Sequence, residues 1–314
     1  MYFIGVDIGG TGIKVGLTDE MGNIISSGDC PTYVELGYER IISDMSDKII
    51  EVVNNAGIDI KDVKSIGIGI PGVADVNGKV YYATNLKWTN VPLGELVRKK
   101  FPDKKVKIEN DATVAALAEL HIGSMKGKGT GILLTLGTGV GGGIIINERV
   151  FSGAHGIGSE IGHMIVGENF YDCNCGNNGC LETFASATAI IKYAQKLISE
   201  GRESIILEKA ENDISKITAR TIFEAYKEKD EVAQIIVERF VHYLGIGIAN
   251  LVNVFDPEIF SIGGGVSRAF DFYIDDLRIE VSKHVIFKDV PFGNIVPATL
   301  GNDAGIVGAA MLGL

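Results

Sequence analysis

Two glycine-and-threonine turns, each flanked by apolar residues in alternation, constrain this chain more than any other feature. The first lies in VDIGGTGIKVGL (residues 6–17) and the second in LTLGTGVGGGIII (residues 134–146). A glycine-rich turn after a strand commonly cradles phosphate, but the dinucleotide and P-loop versions run directly into a helix. Here IKVGLT alternates with a period of two, and no GxxxxGK[ST] sequence is present. Both turns therefore read as β-hairpins whose amides and hydroxyls can face phosphate oxygens. One such turn alone is equally an ordinary tight turn. A second, with Thr138 placed beside glycine as Thr11 is, lowers the weight of that reading. Asp7 ends the first strand, where a carboxylate can hold magnesium through water. Lys14 either neutralises a phosphate oxygen or stays solvated. The shared plan suggests two related halves, although identity between them is slight.

Strands and helices alternate along the rest of the chain, which indicates an α/β protein. Strands are expected at 2–8, 12–18 and 23–29 as a meander, then in SIGIGIPG, KVKIEND, GILLTLG, GGGIIIN and IFSIGGG. Helical spacing covers 40–55, with Ile41, Ile42, Met45, Ile49, Ile50 and Val53 apolar. It recurs at 112–120, 184–199, 232–254 and in the closing DAGIVGAAML.

The net charge of -11 argues against nucleic acid or an anionic membrane as partner, since both are recognised through Lys and Arg. The opening MYFIGVDIGG has no basic region and reads as a strand rather than a signal peptide. A soluble, cytoplasmic protein is expected. Thiols stay reduced there, so three of the four cysteines falling within DCNCGNNGCLE (172–182) point to metal rather than disulfides.

Taken together, DIGGTGIK, TLGTGVGGG, the GGG at 263–265, HGIGSEIGH and CNCGNNGCLE resemble the ROK family. These are sugar kinases and sugar-responsive repressors, and the bacterial glucokinases among them are most alike. The resemblance covers almost the whole chain. It implies the actin/hexokinase-like, ribonuclease H-like ATPase fold, with two α/β domains and a sugar cleft between them. Residues 1–120 with 301–314 would form a small N-terminal domain, and 121–300 a larger one carrying zinc. ATP with Mg2+ would meet Asp7, Gly9, Gly10, Thr11, Gly12 and Lys14 on one side. Gly137, Thr138, Gly139, Gly141, Gly263, Gly264 and Gly265 would meet it on the other. A homodimer or higher homo-oligomer is expected.

The family pattern also assigns the cysteine turn. Cys173, Cys175 and Cys180 with His163 would make a closed four-ligand zinc site, hence a structural one. Its purpose would be placement of Glu160, His163 and Glu182, which match the family's sugar-binding residues. One imidazole nitrogen would serve zinc and the other a sugar hydroxyl.

Asn110 and Asp111 lie where a strand meets a helix. Asp111 read alone is a helix cap. The resemblance makes it the general base that takes a proton from the sugar's primary hydroxyl. Asn110, Asn85 and Gly72 would orient the sugar, Asn85 being equally an ordinary turn residue. The expected reaction is ATP-dependent phosphorylation of a hexose, glucose first, with an N-acetylhexosamine as the rival acceptor. Regulators of the family carry a helix-turn-helix ahead of the first phosphate loop. Because that loop begins within ten residues of Met1, a regulator is not expected.

Overall fold

The computed structural model describes residues 1–314. The chain opens with β1 (Tyr2–Ile8), β2 (Gly12–Asp19), β3 (Ile24–Pro31) and α1 (Tyr38–Asn55). Then follow β4 (Val63–Ile70), β5 (Val73–Ala74), β6 (Val80–Ala83), β7 (Trp88–Val91), α2 (Leu93–Lys100), β8 (Lys105–Asn110) and α3 (Asp111–His121). A second hairpin, β9 (Gly131–Leu136) and β10 (Val140–Ile146), leads to β11 (Arg149–Val150). The later helices are α4 (Glu182–Ala185), α5 (Ala187–Ser199), α6 (Ile205–Lys209), α7 (Ala219–Lys227) and α8 (Glu231–Phe255). The chain closes with β12 (Ile259–Gly263), α9 (Phe270–His284), β13 (Asn294–Pro297) and α10 (Ala304–Met311).

Two compact units result. Unit 1 takes Met1–Leu133, Gly143–Ser159 and Thr299–Leu314, and unit 2 takes Leu134–Gly142 and Glu160–Ala298. The bounds differ from the expected ones in that residues 121–133, 143–159 and 299–300 also fall in unit 1. For the segment from Gly143 the physical reason is close packing on α3: a Cβ on Gly143 would lie 2.5 Å from that of Ala116.

Unit 1 is built on a sheet of order β3-β2-β1-β4-β8. β1 is antiparallel to β2 and parallel to β4, and β4 is parallel to β8. The alternating residues Ile4, Val6, Ile13, Val15, Ile66 and Ile68 are fully buried. Side chains of this kind each contribute about 1.5–3 kcal/mol when buried. α10 packs directly on β1 and β4. Added Cβ atoms on Gly5 and Gly67 would sit 1.8 Å from the carbonyl oxygens of Ile306 and Ala309, so no larger residue fits at either crossing. The returning strand-to-helix segment is anchored by Glu119, whose side chain is fully buried. Its carboxylate accepts hydrogen bonds from Ser124 N (2.6 Å), Thr299 N (2.8 Å) and Leu300 N (2.9 Å). Such full pairing is what permits a charge to be buried.

Another five-stranded sheet has the order β11-β10-β9-β12-β13, and β5-β6-β7 form a small antiparallel one. The helix expected at 184–199 is two helices. Ser186 stands between them and caps α5 through Ala189 N at 3.0 Å, which ends α4. Helices α2, α6, α7 and α9 lie outside the helical stretches expected from the sequence. α8 alone is long and apolar enough to cross a membrane by length and composition, but 56% of its most apolar window is buried within the protein. It is a core helix of unit 2, with Phe240, Leu244 and Ile248 buried.

Candidate active site

The first hairpin closes through Gly9 N donating to Gly12 O at 2.9 Å. Thr32 on the far side of β3 fixes its shape. Its hydroxyl donates to Gly9 O (2.7 Å), and its amide to Thr11 O (3.1 Å). No local pattern marks Thr32; only the meander brings it there. Asp7 and Lys14 stand opposite each other in the β1–β2 register. They line an open cavity of about 500 Å³ with Gly9, Thr11, Gly12 and Asp303. Burial raises the pKa of Asp7, and the nearby Lys14 charge only partly opposes that. Gly10 backs onto Asn85, which is exposed in a single 3-10 turn.

Asn110 is the cap of α3. Its Oδ1 accepts from Ala112 N (2.9 Å) and Thr113 N (3.3 Å), while its Nδ2 donates to Gly72 O at 3.3 Å. The capping alternative weighed for Asp111 therefore belongs to its neighbour. Asp111 is the first helical residue, and its Oδ1 accepts from Ala112 N at 2.8 Å. A carboxylate is favoured at that end of a helix. Glu109, which carried no expectation, accepts from Asn110 N (3.0 Å) and from Ser152 Oγ (2.7 Å). The first turn, Gly72, Asn85, Asn110 and Asp111 thus all belong to unit 1.

Unit 2 holds the remaining expected residues. The second turn closes through Gly137 N to Gly139 O at 2.9 Å, and Gly137 O accepts from Ala187 N at 2.8 Å. Gly264, at φ +82, passes so close to β9 that a Cβ would lie 2.5 Å from Leu136 O. Glu182 begins α4 and reaches the second turn. Its Oε2 accepts from Val140 N at 3.0 Å, and a Cβ on Gly139 would lie 2.1 Å from that same oxygen. Glu160 precedes the Ile161–His163 turn, and its carbonyl accepts from His163 N at 3.1 Å.

The ligand atoms of His163, Cys173, Cys175 and Cys180 all lie within 4.8 Å of one another. Cys173 Sγ is 3.6 Å from His163 Nδ1, and Cys175 Sγ is 3.5 Å from Cys180 Sγ. Ligands at zinc distances in a tetrahedron stand about 3.5–3.8 Å apart, so the donor set fits zinc in both chemistry and spacing. Nδ1 is the nitrogen directed at the thiols, which leaves Nε2 for another partner. The Asn177 amide beside Cys175 brings its thiol down to about 7. Burial pushes Cys180 up to about 12 and also raises Cys173. A divalent cation relieves the cost of ionising thiols packed this closely.

Arg239 ties the cysteine loop to α4, another role no sequence signal reveals. Its Nη2 donates to Asn169 Oδ1 at 2.7 Å, and its guanidinium lies 4.7 Å from the Phe184 ring centroid and 4.4 Å from that of Tyr193. Asn169 Nδ2 (2.7 Å) and the Tyr171 hydroxyl (3.0 Å) both donate to Thr183 O, next to Glu182.

The family model described as "ROK family" matches residues 3–314. A glucokinase of Thermotoga maritima is 38% identical, the alignment covering 99% of this chain and 97% of that protein. A putative xylose repressor of Caldicellulosiruptor is 33% identical over 98% of this chain but 77% of its own length. Among solved structures, a ROK family glucokinase from Streptomyces griseus in complex with glucose and AMPPNP is similar, with a TM-score of 0.82 and 34% identity. That alignment covers 99% of each chain.

Proposed function

The chain belongs to the ROK family, and we propose that it transfers the terminal phosphoryl group of ATP to the 6-hydroxyl of glucose. It is an ATP-dependent sugar kinase of the actin/hexokinase-like fold. One observation carries the choice of base. Asp111 opens α3 beside an Asn110 whose amide is committed to Gly72 O, in a chain similar end to end to a glucokinase seen with glucose and AMPPNP.

In this reading Asp111 accepts the proton of the sugar's primary hydroxyl as that oxygen attacks the terminal phosphorus. The bond from that phosphorus to the bridging oxygen breaks, and ADP leaves. Transfer of this kind depends mainly on positioning and on neutralising phosphate charge. Lys14 and the N–H groups of the Gly9–Gly12 and Gly137–Gly141 turns supply the neutralisation. Gly263, Gly264 and Gly265 would meet the adenosine side of the nucleotide. Asp7 would hold magnesium, which supplies charge to the phosphates. A carboxylate held back from ionising by burial gains from such a cation.

Asn85, Asn110 and the Gly72 backbone orient the sugar, with Glu160 and Glu182 accepting its hydroxyl hydrogens and His163 donating its Nε2–H to a hydroxyl oxygen. His163, Cys173, Cys175 and Cys180 would hold a structural zinc, and these four ligands would then keep the loop in place before sugar arrives, with His163 Nε2 left for the sugar. Reduced thiols of this kind suit the cytoplasm.

The rival acceptor is an N-acetylhexosamine. Likeness to a repressor at 33% identity favours a second reading, a sugar-sensing regulator. A coupled ADP-release assay with ATP across glucose, mannose, fructose, N-acetylglucosamine and N-acetylmannosamine separates the three. We expect the highest kcat/KM for glucose. A higher value for an amino sugar would change the substrate, and turnover with none of them would favour the regulator.

A further inference from the structure

We propose that His242, Glu280 and His284 form a second metal site, separate from the cysteine cluster, that takes a divalent transition-metal ion. The three ligand atoms lie within 4.8 Å of one another. Glu280 and His284 are one helical turn apart and so share a face of α9, the spacing at which two helical side chains grip one ion. His242 comes from α8, which packs along α9. Gly245 allows that approach, since a Cβ there would lie 2.6 Å from Glu280 Cγ.

The arrangement of the carboxylate is the main argument. Its Oε1 faces both imidazoles, at 2.6 Å from His242 Nδ1 and 3.1 Å from His284 Nε2. Its Oε2 is engaged by Lys283 Nζ at 2.7 Å. A ligating carboxylate is commonly fixed by an outer partner on one oxygen; here Lys283 holds Oε2, and an ion would replace the hydrogen bonds that Oε1 makes with the two imidazoles. Exposure is graded: the Glu280 side chain is 11% exposed, those of His242 and His284 48% and 36%. The carboxylate is thus a floor and the imidazoles an accessible rim, open to an ion arriving from solvent. Neutral imidazole with a single carboxylate suits zinc, nickel, cobalt or copper rather than magnesium or calcium, which prefer oxygen alone. A bound ion would fasten the C-terminal end of α9 to the middle of α8.

The test uses the full-length protein as purified, titrated with Co2+ while calorimetry, visible absorption and melting temperature are followed. Wild type should take up one further ion, with visible cobalt bands but no thiolate charge-transfer band, and should melt at a higher temperature. His242→Gln and His284→Gln remove half-exposed side chains, so both variants should fold; each should lose the ion and the thermal shift. The proposal is overturned if wild type takes up no further cobalt at millimolar concentration. Equal uptake by both variants, or a thiolate band on the added ion, would overturn it as well.

Discussion

Glu182 Oε2 accepts a hydrogen bond from the backbone N–H of Val140 at 3.0 Å, which joins the first residue of α4 to the second glycine turn. The other oxygen of the same carboxylate lies 3.7 Å from Cys173 Sγ. One side chain therefore touches both the cysteine cluster and a candidate phosphate turn, although sequence separates it from Val140 by 42 residues.

Glu182→Ala should consequently raise KM for ATP as well as for sugar. A hydrogen bond to a charged group contributes about 1.5–3 kcal/mol, so kcat/KM should fall roughly 10- to 150-fold. Glu160→Gln should raise KM for sugar only. Steady-state kinetics with each substrate varied in turn would check this, and an unchanged ATP KM in Glu182→Ala would remove the proposed link.

Asp111→Asn keeps the shape of the side chain and leaves the Asn110 cap untouched. Turnover should drop by about 10²–10⁴-fold while the KM for sugar stays nearly constant. If kcat is near normal, Asp111 serves only the helix terminus.

Asp7 provides a pH test. Its folded pKa is raised above the ordinary 3.8 by burial, so the folded protein holds this proton more tightly than the unfolded chain. Stability from this residue is complete below about 3.8 and is lost as pH rises through the higher folded value. Asp7→Asn mimics the protonated form. The variant should melt above wild type at neutral pH and level with it in strong acid, yet lose the stabilisation that MgATP gives wild type. A variant less stable than wild type at neutral pH would refute this.

Elemental analysis should find about one zinc per chain before any metal is added. Cys175→Ala should lose that ion, melt lower and lose sugar affinity more than ATP affinity, because the loop carrying His163 is no longer pinned. Active wild-type enzyme free of zinc would contradict the assignment.

Arg239→Met keeps bulk but removes the cation from its aromatic surroundings and its bond to Asn169. Cation–π contact contributes about 0.5–2 kcal/mol. The variant should lose that much stability and raise the sugar KM, and Arg239→Lys should restore part of the first. Unaltered sugar affinity in Arg239→Met would show that the Asn169–Thr183 contacts suffice.

Local patterns in the sequence decide much of this protein. Period-two alternation through Val6, Ile13 and Val15 is read correctly because a strand's faces depend only on neighbouring residues. Helical spacing likewise reveals α1, α3 and α8. The cysteine spacing is legible because the three thiols lie within one turn and need little help from the fold to meet. What the sequence leaves undecided is partly local competition for backbone amides and partly contact between residues far apart in the chain. Asn110 rather than Asp111 caps α3 because backbone angles set which residue faces the free N–H groups. Ser186 splits one expected helix because its hydroxyl competes for the amide of Ala189. Thr32 beside Gly9, Glu119 under Thr299, Glu182 on Val140, and Glu280 beside His242 are all long-range hydrogen bonds. Periodicity reports only which face of an element is apolar. Which polar groups meet across elements is decided by packing, and that is where this protein's candidate sites take their shape.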